Sequence, residues 1–291
     1  MFPRRDFCFE RVDAGIFPDG KFFVQWWVSP TFPFTTMPVF YVDIATAVDN
    51  WQRLDQVPVI NNCVFVGDQL ARCGSVDSTY VRVAALDGST EYLSQPSKFL
   101  GELSRHDYTI ARDILRKEYL RLKKYSGCEG LLFKRKQSGV KCPECTDWDV
   151  TSSPGKSQCK TCYGTGYVGG YYDGFPFWMD IGNDNSNRDI NQPFGTTDMQ
   201  VRTGRCVAYP TIEPYDMWQQ AGTNKRFIIR KTQATASLKT MVLVYTVELN
   251  AIPYSGIEYS VPEHQDTVPY PGLPAESSKT GWRSGITYVT N

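Results

Sequence analysis

Histidine is scarce: the 291 residues contain two, His106 and His264. That leaves little room for histidine-based metal catalysis or for a Ser-His-Asp triad. Net charge is absent as well, with 31 Lys+Arg against 31 Asp+Glu. A global positive field that coats nucleic acid is therefore excluded. Long apolar runs are missing, since the most hydrophobic short stretch, Met241 to Tyr245 (MVLVY), falls far below the ~18–20 residues that cross a bilayer. The opening MFPRRDFCFE carries charge with no apolar core behind it, so no signal peptide is read and a cytosolic chain without membrane partners is expected. No P-loop, nucleophile elbow, HExxH motif or convincing carboxylate pair occurs, and no enzyme is expected.

What is present is apolar and aromatic mass, 41% hydrophobic and 14% aromatic residues, enough to bury cores in two or three domains. The nine cysteines are an odd count, which with no export signal argues against a disulfide framework. Four of them form one pattern: Cys142-Pro-Glu-Cys145, thirteen intervening residues, then Cys159-Lys-Thr-Cys162. Two CxxC knuckles complete a tetrahedral all-thiolate shell for structural Zn2+, with no open position for water or substrate. Redox-active CxxC pairs are the competing reading. The second knuckle continues as CYGTGYVGG, similar to one CxxCxGxG repeat of the zinc domain of J-domain chaperones, but the first knuckle lacks the glycines. The same stretch spells GxGxxG (Gly164, Gly166, Gly169), yet it follows a knuckle where a dinucleotide site requires a strand. Cys8, Cys63, Cys73 and Cys206 read as small buried hydrophobes.

Along the chain, residues 1–100 read as β. KFFVQWWV (21–28), VFYVDI (39–44), VFV (64–66) and TYVRVAA (79–85) are β-branched or aromatic runs parted by turn clusters, the pattern of a sandwich. Residues 101–139 hold the one strong helix, over 107–125, capped by Ser104 or Asp107 and stopped by Gly127. Its stripe is Tyr108, Ala111, Leu115, Tyr119 and Leu122, with Ile114 flanking. From Ser104 to Lys141 eleven Lys/Arg face four Asp/Glu. This basic stretch is read either as a solvated helix face or, through Lys134, Arg135 and Lys136, as a contact for nucleic acid or an acidic partner. The zinc module is placed at 140–172 and a small β-barrel-like unit at 173–261, with strands near 201–208, 225–231 and 240–249. Residues 171–203 read as loop, and IEPYDMW as a turn. The Pro-rich remainder, 262–291, reads as an extended arm.

Two resemblances add to this. FVQWWV, YVRVAALDG and STEYLSQPS resemble a fibronectin type III domain, which implies that Tyr80 is the tyrosine of the strand corner and Asp87-Gly88 a hairpin turn. RCVAYPTIEPYDMW, NKRFIIRK and VLVYTVELNAIPYSGIEYSVP resemble the small β-barrel head-to-tail joining proteins of tailed bacteriophages. Pro214 and Asp216 match their PxD turn, and Arg226, Phe227, Val244, Leu249, Ile252 and Tyr259 match the strands that follow. That likeness implies a non-enzymatic virion protein, assembled in the host cytoplasm as a homo-oligomeric ring in the neck. It would join portal or adaptor to tail proteins and surround passing double-stranded DNA without sequence recognition. Other tail, baseplate or decoration proteins, and a zinc-ribbon nucleic-acid-binding regulator, are the alternatives. A ring around sliding DNA calls for a neutral or acidic inner wall, with the basic segment turned outward or toward another subunit.

Overall fold

The computed structural model describes residues 8–263 apart from short stretches, the longest being 68–78 and 146–157. Cys73, His264 and the arm expected beyond Glu263 lie outside the described residues. Eight strands come first: β1 (Phe9–Ile16), β2 (Phe22–Val28), β3 (Val39–Ala45), β4 (Trp51–Arg53), β5 (Val64–Gly67), β6 (Tyr80–Asp87), β7 (Thr90–Leu93) and β8 (Ser97–Lys98). They form a three-stranded sheet, β1-β2-β5, and a second sheet, β4-β3-β6-β7, with β8 also on β6. This is a β-sandwich, as the strand runs led us to expect. Trp26 of β2 meets Phe40 of β3 across the sheets, centroids 5.1 Å apart.

Strand β2 is buried along nearly its whole length, and that explains its unbroken apolar run. Phe22, Val24, Trp26 and Val28 face the sandwich core, while the alternate residues Phe23, Gln25 and Trp27 face the rest of the chain. Phe23 packs on Tyr209 at 4.7 Å, Gln25 accepts from the Thr211 amide at 2.8 Å, and Trp27 Nε1 donates to Glu213 at 2.7 Å.

Helix α1 (Arg105–Arg121) follows. Ser104 is its cap: the hydroxyl accepts from Asp107 N at 3.2 Å and donates to the Asp107 carboxylate at 2.6 Å. The expected stripe is the buried one, with Ala111, Leu115 and Leu122 inside. The last turn, Leu122–Ser126, widens to a π-turn closed by Gly127 N–H donating to Leu122 O at 2.9 Å. A Cβ on Gly127 would lie 2.4 Å from that oxygen, so a glycine is required there.

The second β unit consists of β9 (Cys128–Phe133), β10 (Phe175–Ile181), β11 (Ser186–Asn187), β12 (Ile190–Gln192), β13 (Gly195–Thr197), β14 (Gln200–Val207), β15 (Met217–Gln220), β16 (Arg226–Leu238) and β17 (Met241–Ala251). The order β10-β9-β15-β16-β17-β14, with β10 returning to β14, closes a six-stranded barrel. Three expectations need correction. Segment 101–139 is more than a linking helix, because it also contains β9. The stretch 171–203 contains β10, whose apolar FWM is hidden between Gly174, Pro176 and Gly182. Within IEPYDMW, Met217 and Trp218 already belong to β15. Each missed strand is short or bracketed by glycine and proline, so local signals favour loop, and only barrel closure makes them strands. The four-cysteine module thus sits inside the β9–β10 connection, with the barrel continuing on both sides.

Helix α1 lies on β14 and β17, with Leu122 fully buried against barrel residues such as Leu132 and Trp218. Leu122→Ala is expected to cost about 2–5 kcal/mol. Ile114→Ala, on the half-exposed flank of the helix, is expected to cost under about 1 kcal/mol. Urea unfolding of the two variants checks the assignment of the helix face.

Candidate metal centre and the basic segment beside it

Residues 134–141 leave the barrel after β9 and enter the metal module; 167–174 lead back to β10. An isolated bridge between Lys141 and Tyr167 pairs the two limbs. The first knuckle is a single 3-10 turn, Pro143–Cys145, and Cys142 N–H reaches across to Gly166 O at 2.9 Å. The second knuckle is closed by Tyr163 N–H to Cys159 O at 2.8 Å and Thr165 N–H to Cys162 O at 2.9 Å. The GxGxxG glycines are turn residues of this knuckle, with no strand before them and no helix after. Gly170 has φ 62°, and a Cβ there would stand 2.6 Å from Cys162 O.

These turns bring Cys142, Cys145, Cys159 and Cys162 together, all buried, with their sulfurs within 4.8 Å of one another. Sγ separations of 3.7 Å (Cys142–Cys159) and 3.6 Å (Cys145–Cys162) are far too long for a disulfide at ~2.05 Å. They are close to the ~3.8 Å edge of a tetrahedron with ~2.3 Å metal–sulfur bonds. Four buried cysteines are thus placed to hold one metal ion, and the donor set fits a soft, tetrahedral, structural ion. Burial pushes the Cys142 thiol up to about 12. At Cys162 burial is outweighed by the Gly166 N–H, the Cys145 and Cys159 thiols and the Gly164 N–H, and the thiol is lowered. Amides aimed at sulfur favour the thiolate that a metal needs.

The other described cysteines stay apart from this cluster. Cys8, Cys63 and Cys206 are buried, and burial, the largest cause for each, raises their thiols. Cys128 is half-buried in β9, paired with Met179 of β10. Tyr80 opens β6 with its ring 5.9 Å from the Lys98 ammonium.

The basic triplet divides. Lys134 is 4% exposed. Its ammonium donates to Asp216 at 2.6 Å, Thr211 O at 2.8 Å and Glu213 at 3.1 Å. Asp216 also accepts from the Arg135 and Glu213 amides at 2.9 and 2.8 Å. Burial alone would lower Lys134, but the Asp216 and Glu213 carboxylates outweigh it and raise the ammonium; burial, the largest cause, raises the Asp216 carboxyl against the pull of Lys134 and the two amides. Lys136 is likewise 4% exposed, with Val168 O at 3.0 Å and the Tyr172 ring at 5.6 Å as its partners. Neither lysine can meet nucleic acid or an acidic partner from these positions, which corrects the reading of 134–136 as one contact surface. Arg135 alone of the three reaches solvent. The sequence signal that marks Lys134 as internal is Asp216 in the PxD turn. No protein-family model matches the chain, and no curated protein matches it.

Two outcomes follow from this geometry. Complete metal removal by a chelator is expected to open residues 140–172 to protease while the far-ultraviolet circular dichroism of the barrel persists. An unchanged cleavage pattern would count against a structural metal. The second concerns Lys136, which burial lowers from 10.5 to about 7. Between those values the unfolded chain binds a proton that the folded chain does not, so this group adds stability as pH rises and its full penalty stands below about 7. Lys136→Met should therefore raise the melting temperature most at pH 6 and progressively less toward pH 10, in melts run beside the parent chain.

Proposed function

We propose that this chain is a non-enzymatic structural protein of a tailed-phage virion. It forms a homo-oligomeric ring in the neck, between portal or adaptor and tail proteins, around the DNA channel. The observation that carries this reading is the closed six-stranded barrel whose PxD turn, Pro214-Tyr215-Asp216, locks through Lys134 onto the barrel's own first strand. The resemblance to head-to-tail joining proteins lay in that turn and in the strands after it. Sandwich and barrel are joined by part-buried hydrogen bonds, and the helix is tied to the barrel by ion pairs nearer the surface, a construction suited to a part that bears load between larger assemblies. The metal held by Cys142, Cys145, Cys159 and Cys162 is zinc, which supplies no reaction here. It cross-links a segment too small to make its own core. No helix among the described residues is long and apolar enough to cross a membrane, in keeping with a site of action away from lipid.

A tail, baseplate or decoration role would use the same sandwich. The regulator alternative loses ground because two of the three basic residues on which it depended are internal. Mass photometry and negative-stain imaging of the purified chain, alone and with portal, are expected to show closed rings, and the encoding gene should lie beside those for portal and terminase. A chain that stays monomeric in both conditions would overturn the neck reading.

A further inference from the structure

Tyr215, the middle residue of the PxD turn, has a φ of 72°, a left-handed conformation that bulky side chains rarely take. Its ring is 48% exposed, so packing into a core does not account for that conformation. The turn is held in place by Tyr215 N–H donating to Ile229 O at 2.7 Å and by Ile229 N–H donating to Asp216 O at 2.9 Å. One residue further along β16 the register with β17 jumps between Ile229 and Lys231, leaving Arg230 at a bulge. A bulge re-aims the side chain it carries. The Arg230 guanidinium carbon lies 5.6 Å from the Tyr215 ring centroid, and that of Arg135, just past the end of β9, lies 5.3 Å from the same point. Two backbone irregularities thus bring three side chains together at the surface.

These cations are held differently from their neighbours. Lys134, Arg121, Arg205 and Lys239 all pair with carboxylates. Arg135 and Arg230 have no ion pair among the described residues, and an aromatic ring supports them instead. A carboxylate would orient a guanidinium and cancel its charge. A ring orients it through the π face and leaves the in-plane N–H fork free for an oxyanion. The two guanidinium carbons are at most about 11 Å apart, and a nucleic-acid strand carries a phosphate every ~3.4 Å of its axis, so each can meet its own phosphate.

We propose that Arg135, Tyr215 and Arg230 form a phosphate-binding site for the backbone of double-stranded DNA, with no readout of bases. An acidic peptide would need two carboxylates at a matching spacing, whereas a duplex offers paired charges in every register. Two guanidiniums per chain make a local contact that DNA can slide past, not a basic bore. The inference rests on the neck reading for the presence of DNA beside the chain; the site itself does not depend on the ring.

Binding of a fluorescent duplex of about 30 base pairs to the full chain, followed between about 50 and 200 mM salt, tests it. Arg135→Gln with Arg230→Gln should weaken binding about tenfold at the low end and lower the salt slope by ~2. Tyr215→Asn leaves the charge unchanged and keeps a residue that tolerates the left-handed turn; it should still weaken binding about threefold or more. Lys123→Gln with Lys124→Gln, at the end of the helix, should change binding less than about twofold. The proposal is overturned if Tyr215→Asn binds as the parent does, if the helix pair costs as much as the arginine pair, or if inorganic phosphate at matched ionic strength displaces the duplex completely. Ring assembly recorded on the same samples separates the two claims. Rings that bind no duplex sink this inference alone, and monomers that bind it through Arg135 and Arg230 sink the neck reading alone.

Discussion

The Lys134–Asp216 ion pair is the contact on which the remaining architecture depends. Both groups are buried, so each would be costly alone, and removing one partner of such a pair costs about 3–5 kcal/mol because it strands the other charge. The pair is tolerated because its polar valences are filled: three oxygens around the ammonium, and two amides in addition to the ammonium around the carboxylate. Each partner belongs to a different part of the fold. Lys134 follows β9, Asp216 precedes β15, and Glu213 takes the indole N–H of Trp27 from the sandwich. The same few atoms therefore set where the barrel strand ends, how the PxD turn is folded, and how the sandwich sits against both.

The metal module makes sense within that frame. An insertion of about forty residues between two hydrogen-bonded strands raises the entropy of closing the β9–β10 hairpin only slowly with length. A flexible insertion would nevertheless leave the hairpin ends unguided. A metal held by the four cysteines would remove that freedom by tying the limbs together beyond the Lys141–Tyr167 bridge. The contrast between Lys134 and Lys136, two residues apart and equally buried, marks the seam. The first lies in the satisfied junction with the barrel; the second faces Val168 and Tyr172 of the returning limb with far less compensation.

How legible this was in the sequence depended on whether the signal was local. The four cysteines, the Ser104 cap, the helix stripe and the sandwich strands β2, β3, β5 and β6 announce themselves within a few residues, and they fold as their spacing indicates. The barrel strands β9, β10 and β15 do not. CEGLLF begins beside a helix terminator, FPFWMDI contains a proline, and MWQQ is four residues long, so each becomes a strand only through partners distant in sequence. Lys134 and Lys136 were misleading for a related reason. Composition reports a charge without its partner, and the partners lie at positions 213–216 and 168–172. The site formed by Arg135, Tyr215 and Arg230 was invisible for the same reason, since it needs a bulge and a left-handed turn that no local pattern specifies.

The zero net charge also takes on a more definite meaning. A basic stretch between Ser104 and Lys141 suggested a positive hub offset by acidic β units, with the two meeting between copies. Within the chain, ion pairs cross the edge of that stretch in both directions. Glu118 of the helix takes Arg205 at 2.6 Å, Arg121 takes Asp180 at 2.8 Å, Asp107 takes Lys239, and Lys134 is consumed by Asp216. Two of these pairs spend cations of the stretch and two spend its acids, so its net charge is left as it was; the exposed ones add little stability individually and tie the helix to the barrel. Arg135 and Arg230 stand apart from these pairs, because both rest on one tyrosine ring with no ion pair among the described residues. In a neutral protein that local charge, more than the total, decides which anions it meets.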